Sequence, residues 1–411
     1  MPTFNTSDSP SYIWQHPAWP QLTFDATVLA LALDQARLEQ GRLLGLLSAI
    51  GLEQANAVQR DLWVQEALAT AAIEGEQLNL ESLRSSVAHR LSLADTPGLD
   101  RSVEGLVQVM GDALSNHTAT LNLDRLCRWQ SALFPGGTSG IARIAVGRVR
   151  DHTDAMQIVS GVLGREVVHY EAPPSAQVTA EMTRLLAWFE STRPAADVSA
   201  VNGIARAALV HLWFESIHPF EDGNGRLGRA LADMALAQDM HAQDALANPA
   251  LVRVYGMAHQ MLNYRAAYYG ALNYAQRLGG IAPEASVIDA TPWVLWFVQT
   301  FTRACIASQA VVRDAADKAQ FRLRAAQCQT NERQRKVLER LLEAGHVGSG
   351  GGFLGGMSSD KYAKITNTSK ATATRDLADL LANGLMRVEG VGKATRYAVD
   401  VPGWVQPALK G

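Results

Sequence analysis

Apolar residues recur at intervals of three and four positions through long parts of this chain, which is the spacing of one face of an α-helix. The best candidate for a β-strand is Glu166–Tyr170, and the pair Pro173 and Pro174 closes it soon afterwards. Strands do not alternate with helices and no internal repeat is found, so nothing favours a parallel-sheet fold. The sequence therefore predicts a mainly α-helical body with one small β-hairpin. The helical stretches are Ala26–Ser48, Leu62–Ile73, Asn202–Ile217 and Trp293–Gln309.

The composition is that of a globular protein: 47% of the 411 residues are apolar, 19% are charged, and the formal net charge is −3. At roughly 100–200 residues per domain, two to four domains are expected. No stretch approaches the roughly 18 consecutive apolar residues of a membrane span, and Met1–Ser11 lacks the basic start and apolar core of a signal peptide. The three cysteines are widely spaced, which disfavours a disulfide framework and a Cys-x-x-Cys zinc site. We therefore expect a soluble, cytoplasmic protein without membrane contacts.

The C-terminal part differs in charge from the rest of the chain. Residues 331–411 carry twelve Lys and Arg against eight Asp and Glu, whereas the remainder is net acidic. A helical stretch leads into a glycine-rich loop over Gly345–Gly356, and two short helical stretches and two strand-like runs follow. This is the order of a winged helix-turn-helix domain, with the glycines as a flexible connector. The predicted elements are Glu332–Ala344, Ser359–Thr366, Lys370–Asn383, Leu385–Glu389 and Arg396–Val399.

The most informative segment is His218–Arg229, with the sequence HPFEDGNGRLGR. Its Gly223–Gly225 part can turn tightly and expose successive backbone N–H groups, and the helix expected over Arg226–Leu236 adds its positive N-terminal end. Arg226 and Arg229 lie three residues apart on that helix and can clamp further phosphate oxygens. The segment is therefore suited to binding a phosphate chain.

Two other side chains of this segment suit chemistry on that phosphate chain. Asp222 offers a hard carboxylate for a Mg²⁺ ion that bridges two phosphates. His218 has the pKa range of a base that can deprotonate a hydroxyl near neutral pH. Together these groups indicate nucleotidyl transfer from a magnesium nucleotide to a hydroxyl of a protein.

The segment resembles the Fic family, whose motif is HxFx[DE]GNGRxxR. The resemblance implies a fold of packed helices and an enzyme that transfers AMP from ATP to Ser, Thr or Tyr hydroxyls of a target protein. It also implies His218 as the base, Asp222 as the ligand of Mg²⁺ and Gly223–Gly225 as the anion cradle. The eight matching positions are His218, Phe220, Asp222, Gly223, Asn224, Gly225, Arg226 and Arg229.

Two more segments resemble parts of this family. Glu166–Pro174 is similar to the flap, a hairpin whose edge aligns the target segment by strand addition, although an ordinary edge hairpin stays open. The resemblance assigns target binding to Val168, His169 and Tyr170. It assigns contacts with the nucleotide base to Tyr268, Tyr269 and Gln276, and Gln276 stands where many members have Asn. Tyrosine pairs in helices are also common in protein cores, so both interpretations of this pair remain.

An inhibitory element is also indicated before the motif. Thr70–Gly75, TAAIEG, matches the short pattern [ST]xxxE[GN], and Thr70 and Glu74 are four residues apart on one helical face. By resemblance, Glu74 pairs with Arg229 and occupies the space that the γ-phosphate needs. The segment Trp14–Pro20 resembles the start of an N-terminal domain found on many bacterial Fic proteins.

These features predict four regions and two functions. The regions are an N-terminal helical domain over 1–95 with the inhibitory helix at about 60–76, a Fic core over 96–280, connecting helices over 281–330, and a winged-helix domain over 331–411. The first function is an autoinhibited protein adenylyltransferase that uses ATP and Mg²⁺. The alternative is a DNA-binding regulator whose Fic core senses a nucleotide or removes AMP. A different phosphate-containing donor and a homodimer also stay open.

The partner of the winged-helix domain is not decided by its charges. Lys370 and Arg375 on its predicted recognition helix favour DNA, whereas Asp376 and Asp379 on the same helix favour a protein partner.

Overall fold

The computed structural model describes residues 12–91, 100–160, 167–194, 201–243, 254–277, 284–345, 356–390, 395–402 and 404. The chain divides into two compact units, of which the second consists of residues 50–54 and 310–411 and the first of the remainder. The larger segment of the second unit starts at Ala310, inside a helix, and the sequence predicted the start of a winged-helix domain at 331. In the described ranges no helix is long and apolar enough to cross a membrane.

The first unit is mainly helical. Its helices are α1 Ala26–Ala49, α2 Leu52–Ile73, α3 Leu80–Arg90, α4 Arg101–Ser115, α5 Leu123–Leu133, α6 Ser175–Ser191, α7 Gly203–Ile217, α8 Asn224–Gln243, α9 Met257–Asn263, α10 Arg265–Gln276 and the first part of α11 Thr291–Gln327. Its short strands are β1 Leu22–Thr23, β2 Thr138–Ser139, β3 Ala142–Arg143, β4 Gln157–Ser160, β5 Val167–Glu171 and β6 Ile288–Asp289.

Helix α7 is the central helix of this unit, and all of its residues are buried. Its apolar residues cover every face, as a helix requires when other helices surround it. It begins after Asn202, whose Oδ1 accepts the backbone N–H of Ile204 at 3.0 Å. Helices α6, α8 and α10 pack against it, and Trp293 of α11 donates from Nε1 to the carbonyl oxygen of Ala208 at 2.7 Å. The loop between α7 and α8 therefore begins at the end of a helix that is firmly packed on all sides.

Two helices extend beyond the stretches that the apolar spacing predicted. Helix α2 begins at Leu52 rather than near Leu62, and α11 continues to Gln327 rather than ending near Gln309. The added segments are rich in Ala, Gln and Arg and contain no Gly or Pro. Their helix propensity is therefore high even where the apolar stripe is interrupted.

Two pairs of strands bear on the site. Strands β4 and β5 form an antiparallel pair in which Gln157 lies opposite Glu171. The strand predicted at Glu166–Tyr170 is thus present from Val167 onward, and Glu166 itself lies outside the described residues. Strand β1 pairs in parallel with β6, far along the chain.

The second unit contains α12 Glu332–Ala344, α13 Ser359–Thr366, α14 Lys370–Ala382, β7 Met386–Glu389 and β8 Arg396–Val399. Strands β7 and β8 pair antiparallel, and Met357 forms a bridge with Tyr397. Asp376 of α14 is buried and accepts from Arg333 Nε at 2.9 Å and from the Tyr362 hydroxyl at 3.0 Å. These elements stand in the predicted order. The assignment to the winged-helix class stays a prediction, and most of the glycine-rich loop lies outside the described residues.

Candidate active site

His218 follows the last residue of α7 and has a left-handed backbone, with φ 49° and ψ 62°. Its backbone N–H donates to the Phe214 carbonyl oxygen at 2.9 Å, which closes the helix. The side chain is 16% exposed, and its Nδ1 lies 3.8 Å from Glu215 Oε2. Burial, together with the positive charge of Arg150, lowers the pKa of His218 to about 4. The imidazole is therefore neutral at pH 7 and can accept a proton.

The loop after His218 is held by its own side chains. Asn224 Oδ1 accepts the Phe220 N–H at 3.0 Å, and Asn224 Nδ2 donates to the Phe220 carbonyl oxygen at 2.8 Å. The Phe220 ring is fully buried. Gly223 has a φ of +89°, and a Cβ there would lie 2.9 Å from the Phe134 ring, so only glycine fits. The Asn224 side chain thus shapes the loop, and its backbone N–H remains for binding.

The start of α8 lies where the sequence predicted an anion cradle, with one difference from the predicted helix bounds. The helix begins at Asn224 instead of Arg226, so Gly225 lies in its first turn. The N–H groups of a first turn have no partner within the helix and carry the positive end of its dipole. A Cβ on Gly225 would lie 2.2 Å from Glu74 Oε1. A carboxylate oxygen therefore already occupies the space next to the cradle.

Arg229 connects the cradle to the C-terminal end of α2. Its Nε donates to Thr70 Oγ1 at 2.7 Å, and its Nη2 donates to the Thr70 carbonyl oxygen at 3.0 Å and to Glu74 Oε1 at 2.6 Å. The Arg229 side chain is 5% exposed and that of Glu74 is 31% exposed. Among the described residues, Arg229 Nη1 is buried without a hydrogen-bond partner. The predicted pairing of Glu74 with Arg229 is thus present, and Thr70 adds contacts that the sequence did not predict. The inhibitory role of Glu74 stays a prediction.

A second acidic residue engages the other arginine, and sequence reasoning missed it. Glu76 Oε2 accepts from Arg226 Nη1 at 2.8 Å. The Glu76 side chain is 43% exposed, and the Arg226 side chain is 5% exposed and lies over the Phe134 ring. Gly75 between the two acids has a φ of +83°. The only signal in the sequence is a second Glu directly after the inhibitory pattern.

Glu215 is a buried carboxyl group that sequence reasoning also missed. Burial and the negative charge of Glu74 raise its pKa to about 8, so it is protonated at neutral pH. Its Oε1 lies 2.5 Å from the position of a Cβ on Gly228. A Glu three residues before His218 in an apolar helix was the available signal.

Asp222 is the acid to which the sequence assigned a magnesium ion, and its side chain is 40% exposed. Its Oδ1 accepts the Gly223 N–H at 2.5 Å, and its Oδ2 accepts from the Ser139 hydroxyl. The described residues contain no group of three or more His, Cys, Asp or Glu side chains arranged to hold a metal ion. One carboxylate with substrate phosphates is nonetheless a common magnesium environment, and Asp222 fits that pattern.

The residues assigned to the nucleotide base lie at different depths. Tyr268 is 1% exposed, and its hydroxyl lies 3.3 Å from His211 Nε2 in the core. Tyr269 is partly exposed, and its hydroxyl donates to the Ile73 carbonyl oxygen at 3.3 Å. Gln276 is buried and donates from Nε2 to Ser216 Oγ at 3.4 Å. The structure therefore leaves Tyr269 as the residue of this set that reaches the surface near Glu74.

The residues assigned to target binding lie on β5. The Tyr170 ring is buried, and its hydroxyl donates to the Ser216 carbonyl oxygen at 2.8 Å. Val168 and His169 are partly exposed. Arg277 Nη2 donates to the His169 carbonyl oxygen at 3.1 Å. Tyr170 thus ties the hairpin to the end of α7, and the other two positions face outward in part.

A neutral imidazole, a helix start with two arginines and an acid thus follow one another at the end of α7, as the sequence predicted for a phosphate-binding site. The sequence of that site belongs to a described family: residues 120–236 match the Fic/DOC family. Residues 12–93 match a domain of unknown function, DUF4172. The chain therefore carries a Fic/DOC domain over residues 120–236.

Individual relatives are distant. A protein adenylyltransferase Fic of Drosophila erecta is 26% identical over 220 residues, which are 50% of this chain and 39% of that protein. The protein adenylyltransferase Fic of Aedes aegypti is 24% identical over 184 residues, which are 43% of this chain and 33% of that protein. The chain thus spans about a third of the length of these curated relatives. A Fic family protein from Desulfovibrio desulfuricans G20 is 19% identical with a TM-score of 0.46, over 92% of this chain and 97% of that chain.

Proposed function

We propose that this protein is an adenylyltransferase that transfers AMP from ATP to a Ser, Thr or Tyr hydroxyl of a target protein. The observation that carries the proposal is the position of His218 at the end of α7, from which the loop 219–223 leads to the start of α8 with Arg226 and Arg229 on that helix. The names of the distant relatives support the same reaction class.

In the proposed reaction, the hydroxyl oxygen of the target attacks the α-phosphorus of ATP. The bond between that phosphorus and the oxygen bridging to the β-phosphate breaks, and pyrophosphate leaves. The proton of the hydroxyl passes to the His218 imidazole. General-base catalysis of this kind contributes roughly 10²–10⁴-fold in rate. The amides of Asn224 and Gly225 and the unpartnered Nη1 of Arg229 are the groups suited to the phosphate oxygens.

Asp222 would hold the magnesium ion together with the phosphates. The ion would neutralise charge on the leaving pyrophosphate when it is bound. The proposed role of Asp222 rests on its exposure and on its position directly before the cradle.

The proposed enzyme is inhibited by Glu74. The Glu74 carboxylate accepts from Arg229 Nη2 and lies against Gly225, which is where a phosphate oxygen of ATP would compete for the same donors. ATP bound beside this carboxylate would be turned from the line of attack, and in-line geometry supplies much of the rate in phosphoryl-type reactions.

The test is a gel of the full chain incubated with Mg²⁺ and [α-³²P]ATP, with intact-mass spectrometry of the same samples. Glu74→Gly should label more strongly than wild type, and each event should add one AMP. The double variant Glu74→Gly with His218→Ala and the single variant Arg229→Ala should not label. A Glu74→Gly lane as weak as wild type would overturn the inhibition, and an active His218→Ala protein would overturn the base.

DNA binding by the second unit is a second candidate function, favoured by the local geometry of α13 and α14. Asn367 directly follows helix α13 and has a φ of 51°, and Ser369 caps α14 by accepting the Thr372 N–H at 3.2 Å. This tight connection is typical of a helix-turn-helix. Arg375 is exposed on α14, whereas Lys370 pairs with Asp360 at 2.9 Å.

Fluorescence polarisation of the full chain with a labelled random-sequence duplex at two salt concentrations tests this candidate. Arg375→Ala should weaken binding and reduce the salt slope by about one unit. Arg335→Ala, on α12, is the control and should bind as wild type does. Binding that is absent in wild type would overturn the DNA candidate and leave a protein partner.

A further inference from the structure

Arg150 is a buried arginine that lies outside every motif of the sequence. It is 1% exposed, so its guanidinium has little access to water. Its Nε donates to the His218 carbonyl oxygen at 2.8 Å, and its Nη2 donates to the carbonyl oxygens of Ile217 at 3.2 Å and Pro173 at 2.5 Å. Its Nη1 donates to Ser175 Oγ at 3.0 Å. Among these described partners there is no carboxylate.

A buried guanidinium without a carboxylate partner is unfavourable, because the charge has lost its hydration. What offsets that cost here is the C-terminal end of α7. The last carbonyl groups of a helix lack partners within the helix and carry the negative end of its dipole. Arg150 supplies a positive charge and N–H donors at that end.

The cap at the end of α7 is nearly complete. The Tyr170 hydroxyl donates to the Ser216 carbonyl oxygen, the Arg150 guanidinium donates to those of Ile217 and His218, and the backbone N–H of Arg150 donates to that of Pro219 at 2.9 Å. Four successive carbonyl groups are therefore held. His218 lies among them in a left-handed conformation, which is unfavourable for a residue with a side chain. The cap is what holds that conformation.

We propose that Arg150 is a positioning residue for the transfer reaction, which fixes the His218 backbone and ties it through Pro173 to the end of the β4–β5 hairpin. This inference rests on the proposed function, because the reaction is its first readout. A displacement of a reacting group by about 1 Å can cost a factor of about 100 in rate. Loss of this cap should therefore reduce turnover while the phosphate cradle on α8 keeps its affinity for ATP.

The first test compares two lysine variants in the Glu74→Gly background. Arg150→Lys keeps the charge but loses the planar fork that serves three carbonyl groups. Arg206→Lys is the matched control. Arg206 is also a fully buried arginine, but it lies on α7 itself, near the start of that helix. It donates to Phe189 O, Gln238 Oε1 and Thr192 Oγ1.

Steady-state kinetics of AMP transfer should separate the two variants. Arg150→Lys should lower kcat by roughly 10- to 100-fold and leave KM for ATP within about twofold. Arg206→Lys should leave both constants within about twofold. An unchanged kcat in Arg150→Lys, or the same loss in Arg206→Lys, would overturn the proposal. Thermal unfolding reports whether each variant is folded. If Arg150→Lys does not fold, the same kinetics are measured with Arg150→Gln, which buries no charge.

An NMR measurement on the full chain does not depend on activity. The His218 ring signal is identified among the ten histidines by its loss in His218→Asn. Arg150→Lys should shift this signal, and Arg206→Lys should not. If the Glu74→Gly background transfers no AMP, the proposed function fails, and the NMR comparison still tests Arg150. A His218 signal that is unchanged in Arg150→Lys would overturn the positioning role.

Discussion

Glu74 and Glu76, the two acids that follow α2, should differ in how much they lower the affinity for ATP. Glu74 bonds Arg229 at 2.6 Å, and its side chain is 31% exposed. A hydrogen bond between charged groups contributes about 1.5–3 kcal/mol, and the partial exposure favours the lower end. About 1.5 kcal/mol corresponds to roughly tenfold in affinity. Glu76 bonds Arg226 but is 43% exposed, and such surface pairs contribute about 0–1 kcal/mol, which is roughly twofold at the middle of that range.

The assay is isothermal titration of Mg-ATP into the full chain in the His218→Ala background, where turnover is blocked. Glu74→Ala should bind ATP about tenfold more tightly than its parent, and Glu76→Ala about twofold. Combining Glu74→Ala with Arg229→Ala should cancel the gain, because the freed donors are gone. Equal effects of the two alanine variants, or no gain from Glu74→Ala, would refute the argument that the buried pair is the stronger competitor.

Three further outcomes are expected. Asp222→Ala should lose more activity at low Mg²⁺ than at high Mg²⁺, and an equal loss at all concentrations would indicate a structural role. The native state keeps a proton on Glu215 up to a pKa of about 8, whereas the unfolded state releases it near 4.5, so unfolding free energy falls as pH rises. Glu215→Gln should make that slope, measured by urea unfolding between pH 5 and 8, shallower by about 1.4 kcal/mol per pH unit. Asp376→Ala should lower the unfolding free energy of the second unit by about 1–3 kcal/mol, because the buried Tyr362 hydroxyl loses its acceptor.

The sequence predicted the helical body well where an apolar stripe is continuous. Helix α7 was found within one residue, because apolar residues and an Asn cap mark it. The second half of α11 was missed because its helicity comes from Ala, Arg and Gln propensity and not from a stripe. The start of α8 at Asn224 was also missed, since the two glycines suggested a longer turn.

The candidate site was predicted only where its residues are contiguous or matched a pattern. His218, Asp222 and Arg229 lie within twelve residues, so local spacing was sufficient. The contacts of Arg150 with His218 and of Glu76 with Arg226 join positions that are 68 and 150 residues apart. No local periodicity carries such information, because these contacts depend on how whole helices pack.

The parallel pairing of β1 with β6 has a consequence for which part of the chain can be transferred as a unit. Leu22 and Thr23 lie opposite Ile288 and Asp289, and the backbone N–H of Asp25 donates to Thr291 Oγ1 at 2.8 Å. The N-terminal strand of the first unit is thus hydrogen-bonded to the segment that leads into α11. Both segments lie outside the Fic-matched residues 120–236. A fragment limited to residues 120–236 would therefore lack both this strand pair and the hydrogen bond between Asp25 and Thr291.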